Sequence, residues 1–514
     1  QYTADRVTQS TDADGHKTTY VYDYDKQKKE FYVRVTGPAG LEGSRITETW
    51  YDTDGIVIRR DVNGQTHYQK GPTDSATRST IQTDAAGRKT ETLKDEFGNV
   101  VKTIYPDGAV TSATYSSLHG GVLQETDELG VKTAYAYDAK GNLLKKTEAA
   151  GTPEQRITDY ERDAYGQITK ETRKGGSLTL PNGQTVATPD ASIAYHYDER
   201  GNRSQLTDPL GRITAYHYDL QGNVTQLTDA RGNVWKKQYN AKGQVLQATN
   251  PLAKSTTYQY DKVGNLVSTT DALGHVTQYT YDQQNRLIAT KNPLGHSQTR
   301  QYDVQGQLVA TRDALGKPQA SYKYDLAGRL IETQDAAGNA TTTVFDAQSG
   351  YAPTQLVYPT FTRTFTYDTR DRVTQTQDVT TGDNPLTVTS ATAYDPKGQP
   401  TQTTDRTGQV TQLAYDGLGR LIQVTDATSG ITRFSYDARD NLLAVTDANG
   451  NTTRYDYDPA NRRIKETRPL GQSQTYGYDA AGNLIEVKDA KGNLIQLTYD
   501  AAHRRTQETH TPAS

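Results

Sequence analysis

Apolar or aromatic residues alternate with polar ones along most of this chain, and the alternation is broken at short intervals by Asp-x-x-Gly. A representative stretch runs Tyr260-Asp261-Lys262-Val263-Gly264-Asn265-Leu266-Val267-Ser268-Thr269-Thr270-Asp271-Ala272-Leu273-Gly274-His275-Val276-Thr277-Gln278-Tyr279-Thr280, after which Tyr281-Asp282 begins the pattern again. Alternation at period two puts successive side chains on opposite faces, which predicts strands. Thr277, Tyr279 and Tyr281 fall on one face, and Val276, Gln278 and Thr280 on the other. Asp at the first turn position can accept hydrogen bonds from its own backbone, and Gly at the fourth can take the left-handed conformation that ends a type I turn. Asp261, Gly264, Asp271 and Gly274 fill these places in the stretch above. The unit is therefore one β-hairpin of about 21 residues.

Copies of the unit fill most of the 514 residues. Tyrosines open units at 197, 218, 239, 260, 281 and 302, then at 324 and 367 with Phe345 between them, and again at 394, 415, 436, 457, 478 and 499. The unit from Tyr367 to Tyr394 is longer and holds Gly382-Asp383-Asn384-Pro385. The expected organisation is a divergent region at 1–195, a regular array at 196–503, and a polar tail at 504–514 that frays. Stretches 26–45 and 61–78 break the pattern. In the stretch 174–191, the turn Pro181-Asn182-Gly183 between runs at 177–180 and 184–187 predicts an inserted hairpin that leaves the main sheet; a flexible loop is the alternative. No helix is expected.

Single hairpins are marginal in water, so the units must join edge to edge. An array of roughly 40 strands at about 4.8 Å spacing would run about 190 Å along its hydrogen-bonding direction. Sheet twist accumulates with one hand, so such a strip has to coil. The expected fold is all-β, with tandem hairpins in one long antiparallel sheet rolled into a spiral shell. Tyrosines two apart (195/197, 216/218, 258/260, 322/324, 455/457, 476/478) would stack into aromatic stripes that hold the sheet.

Composition narrows the picture. Only 33% of residues are hydrophobic, and mean hydropathy is −0.84. Such polarity would suit disorder, but 36 tyrosines in register argue against it. A net charge of −4 gives no general attraction to nucleic acid. No stretch is long and apolar enough to predict a membrane span. Cys and Met are both absent and residue 1 is Gln, so a processed chain or a piece of a longer one is expected. Absence of sulfur suits an extracellular setting.

The recurring Tyr-Asp-x-x-Gly-[Asn/Arg]-Leu resembles the RHS/YD-repeat family. Tyr218, Asp219 and Gly222 carry it, as do Tyr260, Asp261 and Gly264; Tyr281 and Asp282; Tyr324, Asp325 and Gly328; Tyr436 and Asp437; and Tyr478, Asp479 and Gly482. Asp271 and Gly274 mark the second turn of the unit. The resemblance covers residues 80–500 clearly and 1–80 weakly. It implies a cocoon of spiralling strands, which in bacterial relatives encloses a C-terminal toxin and in insecticidal toxin complexes and teneurins serves delivery or adhesion. It further implies an exported protein, secreted or at the cell surface and cytoplasmic before export, with the enclosed toxin and secretion components as partners. Many relatives carry an aspartate-dependent self-cleaving segment with Asp-Pro-x-Gly. Asp208-Pro209-Leu210-Gly211 and Asp395-Pro396-Lys397-Gly398 match those letters but sit on ordinary repeat turns, where Pro is favourable at the second position.

Candidate chemistry is sparse. His196/His217 and His275/His296 have repeat spacing, but equivalent strands lie about 9.6 Å apart, too far for one zinc without a third ligand. The regular aspartates serve turns, no calcium loop is present, and no nucleophile or phosphate-loop motif occurs. No catalytic residue, metal site or cofactor is expected. A surface adhesin binding glycan or protein through exposed Tyr, Asn and Gln rows is the alternative to a scaffold.

Overall fold

The structure is a computed structural model that describes residues 2–3, 6–40, 43–71, 73–74, 76–180, 183–346 and 352–513. Among the described residues there is no helix, and 45 strands belong to one antiparallel sheet. Strands pair with their neighbours in chain order, as alternation plus short turns dictates. Leu266–Thr270 pairs with Val276–Tyr281 in the register Ser268↔Gln278, and Val276–Tyr281 pairs in turn with Leu287–Lys291. The faces divide as the letters do: Thr277, Tyr279 and Tyr281 are half-buried, while Val276, Gln278 and Thr280 are exposed.

The two turns of each unit differ. After the Thr-Asp turn the register is unbroken, as in Thr270↔Val276, except at Asp313, where Arg312 faces Pro318 and one residue is skipped. At the Tyr-Asp turn the ladder skips a residue: Thr280 faces Ala289 but Tyr281 faces Leu287. The same skip recurs at Tyr218, Tyr324, Tyr436 and Tyr478. It is a β-bulge, which increases local twist once per unit.

The chain divides into two compact units. The first comprises Gln1–Ser112, Gln259–Thr270 and Gly274–Gln409; the second comprises Ala113–Tyr258, Asp271–Leu273 and Val410–Ser514. Each therefore holds an earlier and a later arc of the array. The inserted hairpin, Gly176–Thr179 paired with Thr185–Thr188, stands outside the main sheet in the second unit. Pro181 and Asn182 of its turn lie outside the described residues, as do 41–42, 72 and 75 within the irregular stretches. The tail differs from expectation. Arg505–Thr511 is not frayed but pairs with Leu494–Tyr499, its residues exposed, and Ala513 N–H donates to Asn493 Oδ1 at 2.9 Å. Backbone pairing holds a strand that has no apolar face to bury.

Candidate functional site

The repeat positions form one local machine. Asp219 Oδ1 accepts the backbone N–H groups of Gln221 and Asn223, both at 2.9 Å, while Oδ2 takes the Asn223 side-chain amide at 2.9 Å. Gly222 N–H closes the turn onto the Asp219 carbonyl at 3.2 Å with φ +85°. Asp479 and Asp437 repeat this with Asn483 and Asn441, and Gly482 and Asp440 close their turns. Where Arg follows the turn, its Nε replaces the amide: Arg286 on Asp282 at 2.6 Å and Arg329 on Asp325 at 2.7 Å. Gly328 closes the Asp325 turn. At Asp261 the carboxylate itself takes Gly264 N–H at 2.7 Å, and Gly264 opens to φ +118°. In the Thr-Asp turn, Asp271 Oδ1 accepts Leu273 N–H, and Gly274 stands at φ +85°. The Asn223 amide, outweighing burial, holds the Asp219 carboxyl below the usual range, and the Asn265 amide does so for Asp261.

The tyrosine that opens a unit recurrently donates its phenol to a backbone carbonyl at the start of the preceding strand. Tyr281 bonds Leu266 O at 3.0 Å, Tyr218 bonds Arg203 O at 2.8 Å, and Tyr324 and Tyr478 bond Leu308 O and Arg463 O at 2.9 Å. Burial raises the pKa of each of these phenols. Their hydroxyls are thus committed within the sheet.

Sequence reasoning gave no role to the arginine after the turn. It is a bridge between hairpins. Arg462 holds Asp458, lies 4.5 Å over the Tyr478 ring, and donates to the Asp479 carbonyl at 3.4 Å. Arg286 does the same to Tyr302 and Asp303, and Arg420 to Tyr436 and Asp437. The signal was present: Arg286/Tyr302, Arg329/Phe345, Arg420/Tyr436 and Arg462/Tyr478 share one spacing. With Asn in that place, the amide reaches the residue that replaces Gly in the next turn, as Asn265 does to Asn285 at 2.8 Å.

Within each unit, Thr-Asp turns of the earlier arc meet Tyr-Asp turns of the later arc along a seam. In the first unit, the two terminal guanidinium nitrogens of Arg88 bond the Asp371 carboxylate at 2.5 Å, Arg372 stands 3.5 Å from Asp107, and Arg370 lies 4.0 Å over Tyr105. In the second, Arg156 pairs with Asp440, Arg231 with Asp479 at 3.1 Å, and Glu154 accepts Gly417 N–H at 2.8 Å. His503 Nε2 sits 3.0 Å from Asp229, its ring parallel to Trp235 at 5.3 Å.

The inserted hairpin lies over the later arc of the second unit. Leu180, with Leu178 and Val186, packs on Leu443, Ala444 and Tyr457. Under this cover Asp437, Arg439 and Asn441 are buried. Beside it opens a cavity of about 610 Å³ lined by Lys174, Leu178, Arg420, Arg433, Phe434 and Tyr436 among others.

The remaining candidates fall as follows. Asp208 and Asp395 each cap an ordinary turn closed by Gly211 and Gly398. His196, His217, His275 and His296 are exposed. Among the described residues no group of three or more His, Asp or Glu side chains is placed to hold a metal ion, and no helix is long and apolar enough to cross a membrane.

Residues 354–511 match the teneurin YD-shell family, and residues 119–153, 197–234, 239–274, 260–297 and 302–340 match the RHS repeat. No curated protein matches the sequence. Among solved structures, the TcdB2–TccC3–Cdc42 complex aligns over 95% of this chain and 40% of its own, at 13% identity and a TM-score of 0.53. The TcdB2–TccC3 complex aligns over 95% and 38%, at 14% identity and a TM-score of 0.50. The likeness is one of fold, and this chain spans about two fifths of the length of those it matches.

Proposed function

The chain is an RHS/YD-repeat protein, and from that premise we propose that it is a stretch of shell wall that encloses a toxin domain and helps deliver it, without catalysing a reaction itself. The single observation that carries this reading is the run of in-register hairpins in one sheet whose fold matches the TcdB2–TccC3 chains. Use of the polar groups supports it: phenols close onto backbone, carboxylates onto turns, and guanidinium groups onto the next hairpin. Such commitments favour a wall over a glycan-binding face or a catalytic one. On this reading residues 196–503 are the regular wall and 1–195 its divergent part. The partners are the enclosed domain, from the same full-length polypeptide, and the export machinery; the protein is exported, secreted or held at the cell surface.

A small folded reporter fused after residue 514, with a protease site in the linker, tests enclosure. The wall reading expects the linker to resist cleavage in the folded fusion and to be cut once the repeats are denatured. Equal cleavage in both states would overturn it.

A further inference from the structure

The repeats of the array supply a comparison among themselves. Four turns carry the tip Pro-Leu: Asp208-Pro209-Leu210-Gly211, Asn250-Pro251-Leu252-Ala253, Asn292-Pro293-Leu294-Gly295 and Arg468-Pro469-Leu470-Gly471. All four are Thr-Asp-type turns. Leu210 and Leu252 belong to the earlier arc, whose Thr-Asp turns form the seam; Leu210 is 38% exposed and Leu252 is half-buried. Leu294 and Leu470 belong to later arcs, whose Thr-Asp turns lie on the side away from the seam, and they are 80% and 87% exposed. Nearly the same letters, in the same turn, are less exposed on the seam than on the outer rim.

The complementary side behaves alike. Tyr-Asp turns of the later arc lie on the seam, and the tip residue Leu418 is half-buried there. Tyr-Asp turns of the earlier arc form the opposite rim of the second unit, where Tyr165 and Leu220 are largely bare. That rim also carries Lys140 and Arg200, exposed at turn tips. The rim of the later arc carries the turn carboxylates Asp426, Asp447 and Asp489. On the seam, a carboxylate that caps its own turn still takes a cation from across: Asp479 binds Asn483 and Arg231 together.

We propose that these two rims bind each other between copies of this chain. The Thr-Asp turns of the later arc of one copy, led by Leu470, seat on the Tyr-Asp turns of the earlier arc of the next, around Tyr165 and Leu220. The contact repeats the internal seam, Thr-Asp turn against Tyr-Asp turn, so a second copy presents the row of turns that the bare rim fits. Because the two rims differ, the contact is heterologous and can add copies one after another.

Sedimentation velocity of the full chain from low to high micromolar concentration tests this. Concentration-dependent association is expected. Leu470→Lys, at an exposed tip where folding is not at stake, should weaken it at least tenfold, whereas Gln278→Lys, on the exposed face of a strand between its turns, should leave it unchanged. The natural chain has no Cys, which allows a second readout. Leu470→Cys mixed with Leu220→Cys or Tyr165→Cys should form a mixed disulfide dimer, and Leu470→Cys alone should not self-link. A monomer at every concentration, association insensitive to Leu470→Lys, or self-linking of Leu470→Cys would each overturn the proposal.

Discussion

Asp219 serves three ends at once: it caps two backbone N–H groups, fixes the Asn223 side chain, and starts the turn that Gly222 closes. Gly222 stands at φ +85°, and a Cβ there would meet only ordinary contact with Asn202. The cost of a side chain is therefore conformational, about 1 kcal/mol for Ala. Asn285 and Asn461 occupy the same turn position at φ 62° and 61°, so Gly222→Asn should cost less than Gly222→Ala, read as the hydrogen-exchange rate of amides in that hairpin. Equal costs would assign the glycine to packing. Charge acts at the same scale. Arg156, then Lys146, outweigh burial and hold the Glu148 carboxyl down at about 2. A depressed carboxyl stabilises the fold above its unfolded value, near 4.5, and that contribution fades as pH falls toward 2. Wild type should lose thermal stability over that window, and Glu148→Gln should lose less of it; parallel profiles would contradict the assignment.

Hairpins are held to one another by groups of very different legibility. Turn and face were readable because each depends on residues within one unit: alternation fixes the face, and Asp and Gly fix the bend. The one-residue skip at the Tyr-Asp turn had no counterpart in the letters. The arginine bridge spans one unit and left a spacing in the letters, Arg462 to Tyr478 among others, though no motif names it. Seam pairs could not be read at all. Arg231–Asp479 and Arg156–Asp440 join residues 248 and 284 positions apart, and which turns meet depends on how far each hairpin twists the strip. The same holds for the inserted hairpin: Asn-Gly spelled its bend, but nothing local named Leu443 and Ala444 as its seat. Leu180 is among the most buried side chains of the chain, and Leu180→Ala should cost about 2–5 kcal/mol of local stability. The expected readout is faster exchange at the pairs Leu178↔Val186 and Ser435↔Ala444 with distant repeats unchanged. A uniform loss across the chain would mean that the hairpin and array unfold as one.

For the whole molecule, stability is a sum over repeats and the interfaces between neighbours, with few fully buried side chains. A sheet built this way needs no thick core, because its hairpins half-bury one face and tie phenols and turn carboxylates internally. Bulges that recur at the Tyr-Asp turns add twist with one hand, and a strip of 45 strands does not stay flat. The proposed shell role requires that this strip close around empty space. Electron cryo-microscopy of the purified chain tests it most directly. The account predicts class averages with a continuous protein rim around a solvent-filled centre, whereas a filled body or an open, uncurled ribbon would contradict it.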